Sequence, residues 1–414
     1  MTTSTYAQIL QRHQEPINAI YVSSYIPRKC GIATYTKDLT NAINLLNSRS
    51  MAEILVMHRS AQEVDYPWEA KFKVDDDDLS SYLSAADYIN KSHADVVSLQ
   101  LEFGLYGGDG GEYIVPLVEA LEVPLVTTLH TVVQDPDSNY GRVLKRVAAH
   151  SEAIVVMMSQ AADHLMDKFD IPHDKIVVIP HGVPDLSFNG SNAQKRKRRL
   201  EGKFVLGNIN LLSPGKGIEY ALEAVSIIAQ KIPEVMYFVI GQTHPMLLKN
   251  EGEQYRNFLK RRVRELGIQS HVRFVNEYLP LSALTDWLKT LDVYITPYLD
   301  SQQVTSGALA YAIGAGKACI STPYIYANEV LADGRGLIVP FRDATAIAKS
   351  VTDLYFNPDL KQALEKRAYE FGRLMTWPNV AQSYLHLFRS VLHRQATQQS
   401  ADTHLNNPLP SSAQ

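Results

Sequence analysis

The sequence predicts an α/β chain built as two doubly wound, Rossmann-like halves in tandem. Three observations carry that reading. The chain has 414 residues, too many for one ordinary core of about 150–200 residues. Short β-branched runs alternate with helical apolar periodicity almost throughout, which is the pattern of a parallel sheet with helices on both faces. The alternation pauses once, at SFNGSNAQKRKRRLEGK (187–203), and then restarts.

In the first half, strands are expected at residues 19–24, 53–58, 95–101, 125–129, 153–157 and 175–179. Helices are expected between them at 33–46, 79–90, 112–121, 142–149 and 160–169. The DDDD run at 75–78 precedes the second of these helices and reads as a solvated acidic cluster favoured by the helix dipole. The polar stretch 187–203 has no apolar period and reads as a linker, its basic run 195–199 as solvated. In the second half, strands are expected at 204–209, 235–240, 272–275, 293–296, 318–321 and 336–339. Between the first two, Ile218, Ala221, Leu222, Val225 and Ile228 share one helical face at three-four spacing. The last helices are expected to end near His393, with a polar, disordered tail after them. The expected domains are therefore 1–186, a linker at 187–203, 204–375, a crossover helix at 376–394 and a tail at 395–414.

Composition excludes several functions. The formal net charge of -4 gives no electrostatic reason to bind nucleic acid. Two cysteines, Cys30 and Cys319, make neither a disulfide framework nor a zinc pattern, and suit a reducing compartment. The N-terminus lacks a basic start followed by an apolar block. No apolar run approaches the ~20 residues that span a bilayer. A cytoplasmic protein without a transmembrane segment is expected.

In open sheets of this class, ligands bind outside the C-terminal ends of the strands, and two facing halves make a cleft. The informative loops all follow expected strands. PRKCGIATY places Arg28, Lys29 and Gly31 between a strand and a helix, which reads either as a plain turn or as an anion site at a helix N-terminus. LEFGLYGGDGGEY carries five glycines, which permit unusual dihedrals and close ligand approach. In it, Glu102 and Asp109 are candidate acids, bases or sugar-hydroxyl acceptors. His130 ends the next strand, as a structural or a functional histidine. In the second half, Gly215 and Gly217 flank Lys216 at a helix start, a good anion site without the Walker spacing. GQTHP, from Gly241, follows the next strand. QQVTSGAL then turns from strand to helix, and N–H groups near Thr305, Ser306 and Gly307 offer a second anion site. Two such sites suggest a diphosphate. No metal-ligand cluster, Ser/His/Asp ordering or trustworthy GxGxxG is present in the sequence.

CGIATYTKDL, QLEFGLYGG, TLHTV, IPHGVPD, SPGKGIE, DVYITPY, TSGALAYAIGAGK and STPYIYANEVLADGRG together resemble the GT-B glycosyltransferases, specifically glycosyltransferase family 4, over about residues 17–393. The motifs look like one bacterial branch of that group, which has a GDP-mannose-dependent mannoside synthase among its relatives. The resemblance implies two Rossmann-like domains facing a cleft, a C-terminal helix crossing back to the first, and transfer of a hexose, mannose favoured, from a nucleoside diphosphate sugar to a carbohydrate or glycolipid. No cofactor is implied beyond that donor, GDP-mannose favoured. By position, Gly31 and Ile32 belong to the loop near the donor phosphates, with Arg28, Lys29, Gly107, Gly108 and Asp109 toward the acceptor. His130 matches a histidine that touches the donor sugar, and Lys216 the lysine that holds the diphosphate, beside Gly215 and Gly241. Thr305, Ser306 and Gly307 fall where amides bind the distal phosphate. Glu277 and Tyr278 fall where main chain reads the base. The family's usual arginine five residues before the lysine is Leu211 here. Its two usual glutamates are Gln302, followed by Gln303, and Ala310.

The chemical problem in such a transfer is charge growing on the leaving diphosphate, which fixed N–H groups and one cation can stabilise. Retention lets the leaving phosphate take the acceptor's proton. Inversion needs a protein base, for which Glu102, Asp109 and His130 are the candidates. The rival readings are a nucleotide-sugar epimerase, a phosphorylase and a non-enzymatic sensor.

Overall fold

The computed structural model describes residues 15–59, 63–188 and 190–406. The chain forms two compact units. One runs to Pro180 and resumes at Pro378; the other is His181–Trp377.

The first unit holds a seven-stranded parallel sheet of β1 (Ala19–Ser23), β2 (Glu53–His58), β3 (Ala70–Asp75), β4 (Val96–Leu101), β5 (Leu125–Leu129), β6 (Ala153–Val156) and β7 (Ile176–Val178). Their order is β3-β2-β1-β4-β5-β6-β7. Every residue of β1, β4, β5 and β6 is buried, as expected for a parallel sheet covered on both faces, although β1, β4 and β5 include polar residues. The order reverses between β1 and β4, so the loops after these two strands diverge, and a doubly wound sheet binds ligands at such a point.

Strand β3 was not expected. Its sequence AKFKVD alternates exposed lysines with half-buried residues, as suits an edge strand blunted by charge. The acidic run also differs from expectation. Asp78 does cap the helix Leu79–Asn90, accepting from Ser80 N at 2.9 Å, but Asp76 is buried and ion-paired to Arg59 at 3.3 Å.

The last helix, Trp377–Asn406, passes into the first unit and continues beyond the expected end near His393. Residues 395–406 of the expected disordered tail are helical, and 407–414 lie outside the described residues. Tyr384 anchors this helix: its hydroxyl lies 2.8 Å from Thr128 Oγ1 and 3.1 Å from Tyr35 Oη.

The second unit repeats the design with six parallel strands, in the order β10-β9-β8-β11-β12-β13. These are β8 (Phe204–Ile209), β9 (Val235–Ile240), β10 (Val272–Val275), β11 (Val293–Thr296), β12 (Ala318–Ser321) and β13 (Leu337–Ile338). Ile218, Ala221, Leu222, Val225 and Ile228 are all buried against this sheet, as their spacing predicts. The stretch read as a linker belongs to this unit and contains the helix Asn192–Lys197. Lys195 is not solvated. It is 7% exposed and donates to Asp292 Oδ2 at 2.5 Å and to the Lys203 carbonyl at 2.9 Å. Arg198 stacks 3.8 Å from the Trp287 ring centre. The physical reason is Asp292 at the start of β11, a buried carboxylate that needs a cation. Among the described residues, no helix is long and apolar enough to cross a membrane.

Candidate functional site

In the first unit, candidate residues gather at the C-terminal ends of β1 to β5. After β1, Cys30 caps the helix Gly31–Leu46, its sulfur accepting from Ala33 N at 3.4 Å and meeting Ser24 Oγ at 3.2 Å. PRKCG is thus a turn, and it also opens a 16-residue helix whose first N–H groups belong to Gly31 and Ile32. A Cβ on Gly31 would meet no atom within 4 Å, so packing does not demand glycine there. Lys29 is exposed. Arg28 is half-buried, and its shielded Nη1 has no hydrogen-bond partner among the described residues. Arg59, which sequence reasoning missed, follows β2 and holds Asp76. Burial raises the Asp76 carboxyl above its usual range, opposed by Arg59 and then Arg28.

The glycine-rich loop is shaped first by its own packing. A Cβ on Gly107 would lie 2.0 Å from the Asp76 carbonyl oxygen. Gly108 has φ +77, and its Cβ would meet Tyr113 at 2.7 Å. Asp109 is exposed and accepts from Asn139 Nδ2; the other two candidate bases are Glu102 and His130. Those two end neighbouring strands. Leu101 and Leu129 are register partners, so Glu102 and His130 follow side by side, with His130 N donating to the Leu101 carbonyl at 3.0 Å. Glu102 accepts from Thr131 Oγ1 at 2.7 Å. Burial raises its carboxyl above the usual range, offset in part by Thr131 and by the Gly104 N–H. His130 is 7% exposed, with Nε2 2.9 Å from Gln100 Oε1 and its ring edge-on to Tyr35 at 4.8 Å.

In the second unit, Ser213 leads into the turn Pro214–Lys216, and Gly217, at φ 61, starts the helix Ile218–Ile228. The Leu299 N–H donates to the Gly215 carbonyl at 3.0 Å, tying this turn to the loop after β11. Lys216 Nζ lies 3.9 Å from the Tyr298 ring centre, and that ring stacks on Tyr324 at 5.2 Å. The loop after β9 is zipped to the loop after β8 by Leu212 N to Gln242 O at 2.8 Å and His244 N to Leu212 O at 3.0 Å. His244 therefore lies near Lys216; partial burial, then that lysine, lowers its imidazole pKa. Gly241 has φ +132, and its Cβ would meet the Asn210 carbonyl oxygen at 1.8 Å. Arg256, 2% exposed, donates to the Gly241 carbonyl at 2.9 Å and to Glu253 Oε2 at 3.0 Å. Neither His244 nor Arg256 was named from sequence. GQTHP contained the first signal, whereas Arg256 lies in the helix Gln254–Glu265, where nothing in the sequence analysis singled it out.

After β11, Ser306 caps the helix Gly307–Gly314, accepting from Leu309 N at 3.3 Å. Gln303 donates to the Thr305 carbonyl at 2.8 Å and so holds its own loop. Gln302 is exposed and bonds Ser301 Oγ at 3.0 Å. Ala310 is 0% exposed, so position 310 faces the interior and presents nothing to a ribose. Glu277, exposed, and Tyr278, half-buried, follow β10. Leu211 is half-buried after β8.

His181 faces this second helix start. Its Nδ1 must donate to the Gly182 carbonyl at 2.8 Å, which leaves Nε2 unprotonated, 2.9 Å from where a Gly307 Cβ would be. Burial lowers the imidazole to about 4. The unfolded chain takes up that proton near pH 6.5, whereas the folded chain waits until about 4. Stability is therefore full above that range and falls as pH drops through it, by roughly 3 kcal/mol. Urea unfolding of wild type and His181→Gln between those pH values checks this: the acid-side slope should flatten in the variant.

Residues 58–185 match the family model Glycosyltransferase Family 4, and 191–371 match Glycosyl transferases group 1. A D-inositol 3-phosphate glycosyltransferase of Stackebrandtia nassauensis is 26% identical over 286 residues, 66% of this chain and 62% of that protein. A phosphatidyl-myo-inositol mannosyltransferase of Mycolicibacterium smegmatis is 26% identical over 216 residues, 52% of each. The chain thus spans about three-fifths and half of the lengths of these two relatives. Among solved structures, sucrose-phosphate synthase of Thermosynechococcus elongatus has a TM-score of 0.72 at 15% identity, covering 91% of this chain and 100% of that one. Anabaena HepE in complex with UDP and glucose has a TM-score of 0.71 at 12% identity, covering 90% and 100%. Two parallel-sheet Rossmann-like units with these likenesses define the GT-B class of fold. Within that class, the chain belongs to glycosyltransferase family 4.

Proposed function

We propose that the protein moves a hexose, with mannose the first expectation, from a nucleoside diphosphate sugar to a carbohydrate or glycolipid acceptor. The observation that carries this reading is Lys216, held over Tyr298 on a turn that opens a helix. A fixed cation and preorganised amides there suit the charge that grows on a leaving diphosphate. The Ser306-capped helix start supplies the second set of amides. Gly31, with open space around it, suits close approach of donor phosphates. GDP-mannose as donor is supported by the mannosyltransferase relative; UDP is the competing base, supported by the Anabaena likeness. An acceptor bearing phosphate fits Arg28, Lys29 and Arg59, and the relative that acts on D-inositol 3-phosphate.

Calorimetry with EDTA present tests the donor half. GDP or UDP should bind without added metal, and a ligand at 100 times its Kd should stabilise the fold by about 2.7 kcal/mol. If neither binds, the amide-and-lysine clamp is wrong. For stereochemistry, proton NMR of the first product reads the anomer. An inverting enzyme requires Glu102, His130 or Asp109 within about 3 Å of the acceptor hydroxyl, directly or through one water. Its neutral replacement should then nearly abolish transfer while donor binding survives. Uncharged Gln302 and inward-facing Ala310 favour a second reading, a non-enzymatic nucleotide-sugar sensor. Slow donor hydrolysis without acceptor would exclude the sensor.

A further inference from the structure

Four loops of the first unit converge beside Asp76, at the C-terminal ends of the strands. Asp76 follows β3, Arg59 follows β2, Arg28 follows β1, and Gly107, after β4, presses on the Asp76 carbonyl. Tyr82 Oη donates to that same carbonyl at 3.0 Å and accepts from the Gly107 N–H at 3.0 Å, so the corner is fixed. Asp76 is 6% exposed, and its two carboxylate oxygens differ. Oδ2 accepts from Arg59 Nε at 3.3 Å, whereas Oδ1 is shielded and has no hydrogen-bond partner among the described residues. Arg28 is its complement: Nη1 is also shielded and also has no hydrogen-bond partner among them. Burial raises both Asp76 and Tyr66, and the Arg28 charge opposes it at both, which puts the three groups around one small volume.

We propose that Asp76 and Arg28 form a hydroxyl clamp that receives a neutral, polyhydroxylated part of the acceptor, a sugar or polyol ring. One hydroxyl donates to Asp76 Oδ1, and that hydroxyl or its neighbour accepts from Arg28 Nη1. The inference rests on the reading that the acceptor is a carbohydrate. A shielded carboxylate oxygen and a shielded guanidinium nitrogen are expensive to leave unbonded. Their charges act on each other, yet they do not bond, so what completes them is a group that donates to one and accepts from the other. A hydroxyl does both, and each bond is charge-assisted. A phosphate dianion only accepts. At Asp76 Oδ1 it would meet a second negative charge, to which Asp77 adds. A phosphate elsewhere on the acceptor still has exposed Lys29. Arg59 keeps the carboxylate in place through Oδ2 and leaves Oδ1 for the ligand.

Saturation-transfer NMR on the full chain, with D-mannose, myo-inositol and inorganic phosphate as probes, tests the clamp. The expected result is that D-mannose or myo-inositol binds and that phosphate does not displace it. In Asp76→Asn one acceptor oxygen must serve two donors, Arg59 and the hydroxyl, so probe affinity should fall by about 10- to 100-fold. Arg28→Ala should lower it by a similar factor. That variant also covers the case in which Asp76→Asn does not fold, because Arg28 Nη1 has no hydrogen bond to lose among the described residues. The proposal is overturned if neither D-mannose nor myo-inositol binds, or if inorganic phosphate binds in their place. It is overturned equally if the folded variants keep wild-type probe affinity, as they would were Asp76 purely structural. Calorimetry with GDP and UDP keeps the two readings apart. If neither nucleotide binds while the variants still lose the probe, the proposed function fails and the clamp stands.

Discussion

Lys216→Ala should lower kcat by about 100- to 1000-fold, the usual cost of one lost contact to developing negative charge. Folding should scarcely notice. Lys216 is half-buried, and its cation–π contact with Tyr298 is worth about 1 kcal/mol. Lys216→Arg should recover only part of the rate, because a planar guanidinium stacked on Tyr298 does not return a point charge to the same place. If Lys216→Ala turns over within a factor of a few of wild type, the lysine has no part in the reaction. Thermal melts beside the kinetics separate a catalytic from a folding defect: Tm should move little while kcat collapses.

Gly217→Ala should fail for the opposite reason. Gly217 sits at φ +61, and a Cβ there would be 2.0 Å from the Pro297 carbonyl oxygen and 3.1 Å from Leu299 Cδ2. A left-handed alanine costs about 1–2 kcal/mol. The clash with rigid backbone adds about 1–3 kcal/mol. Together these predict roughly 2–5 kcal/mol of destabilisation and displacement of the turn that carries Lys216. Gly215, two residues earlier, is the control. Its Cβ would meet nothing within 4 Å, so Gly215→Ala should stay within about 0.5 kcal/mol of wild type. If Gly215→Ala nevertheless weakens GDP or UDP binding, glycine at 215 serves the ligand, whereas at 217 it serves the fold. Equal stability losses in both variants would refute that division.

The sequence by itself determined the parts of this protein that follow from local periodicity. β6 and β9 are buried along their whole length and read as unbroken apolar runs; Ile218 to Ile228 place an apolar stripe at helical spacing. Strand–helix alternation then fixes parallel sheets, and parallel sheets put the informative loops at one end. That is why Lys216, His130 and the Ser306 helix start could be singled out without coordinates, and why the family was legible from them. What only the tertiary structure decided are the partnerships between residues distant in sequence. AKFKVD has too little apolar pattern to announce a strand, and becomes β3 because β2 offers an open edge. The basic run at 195–199 looks like solvent-facing charge until Asp292, 97 residues away from Lys195, claims one of its lysines inside the core. The glycines divide in the same way: composition showed that the loops were glycine-rich, but only packing distinguishes Gly107, Gly217 and Gly241, pressed against backbone carbonyls, from Gly31 and Gly215, which are not. Gln100 reads as one polar residue in a strand. Its meaning comes from the register of β4 on β5, which places its amide against His130, because hydrogen bonds and close contacts depend on three-dimensional neighbours that no local period encodes.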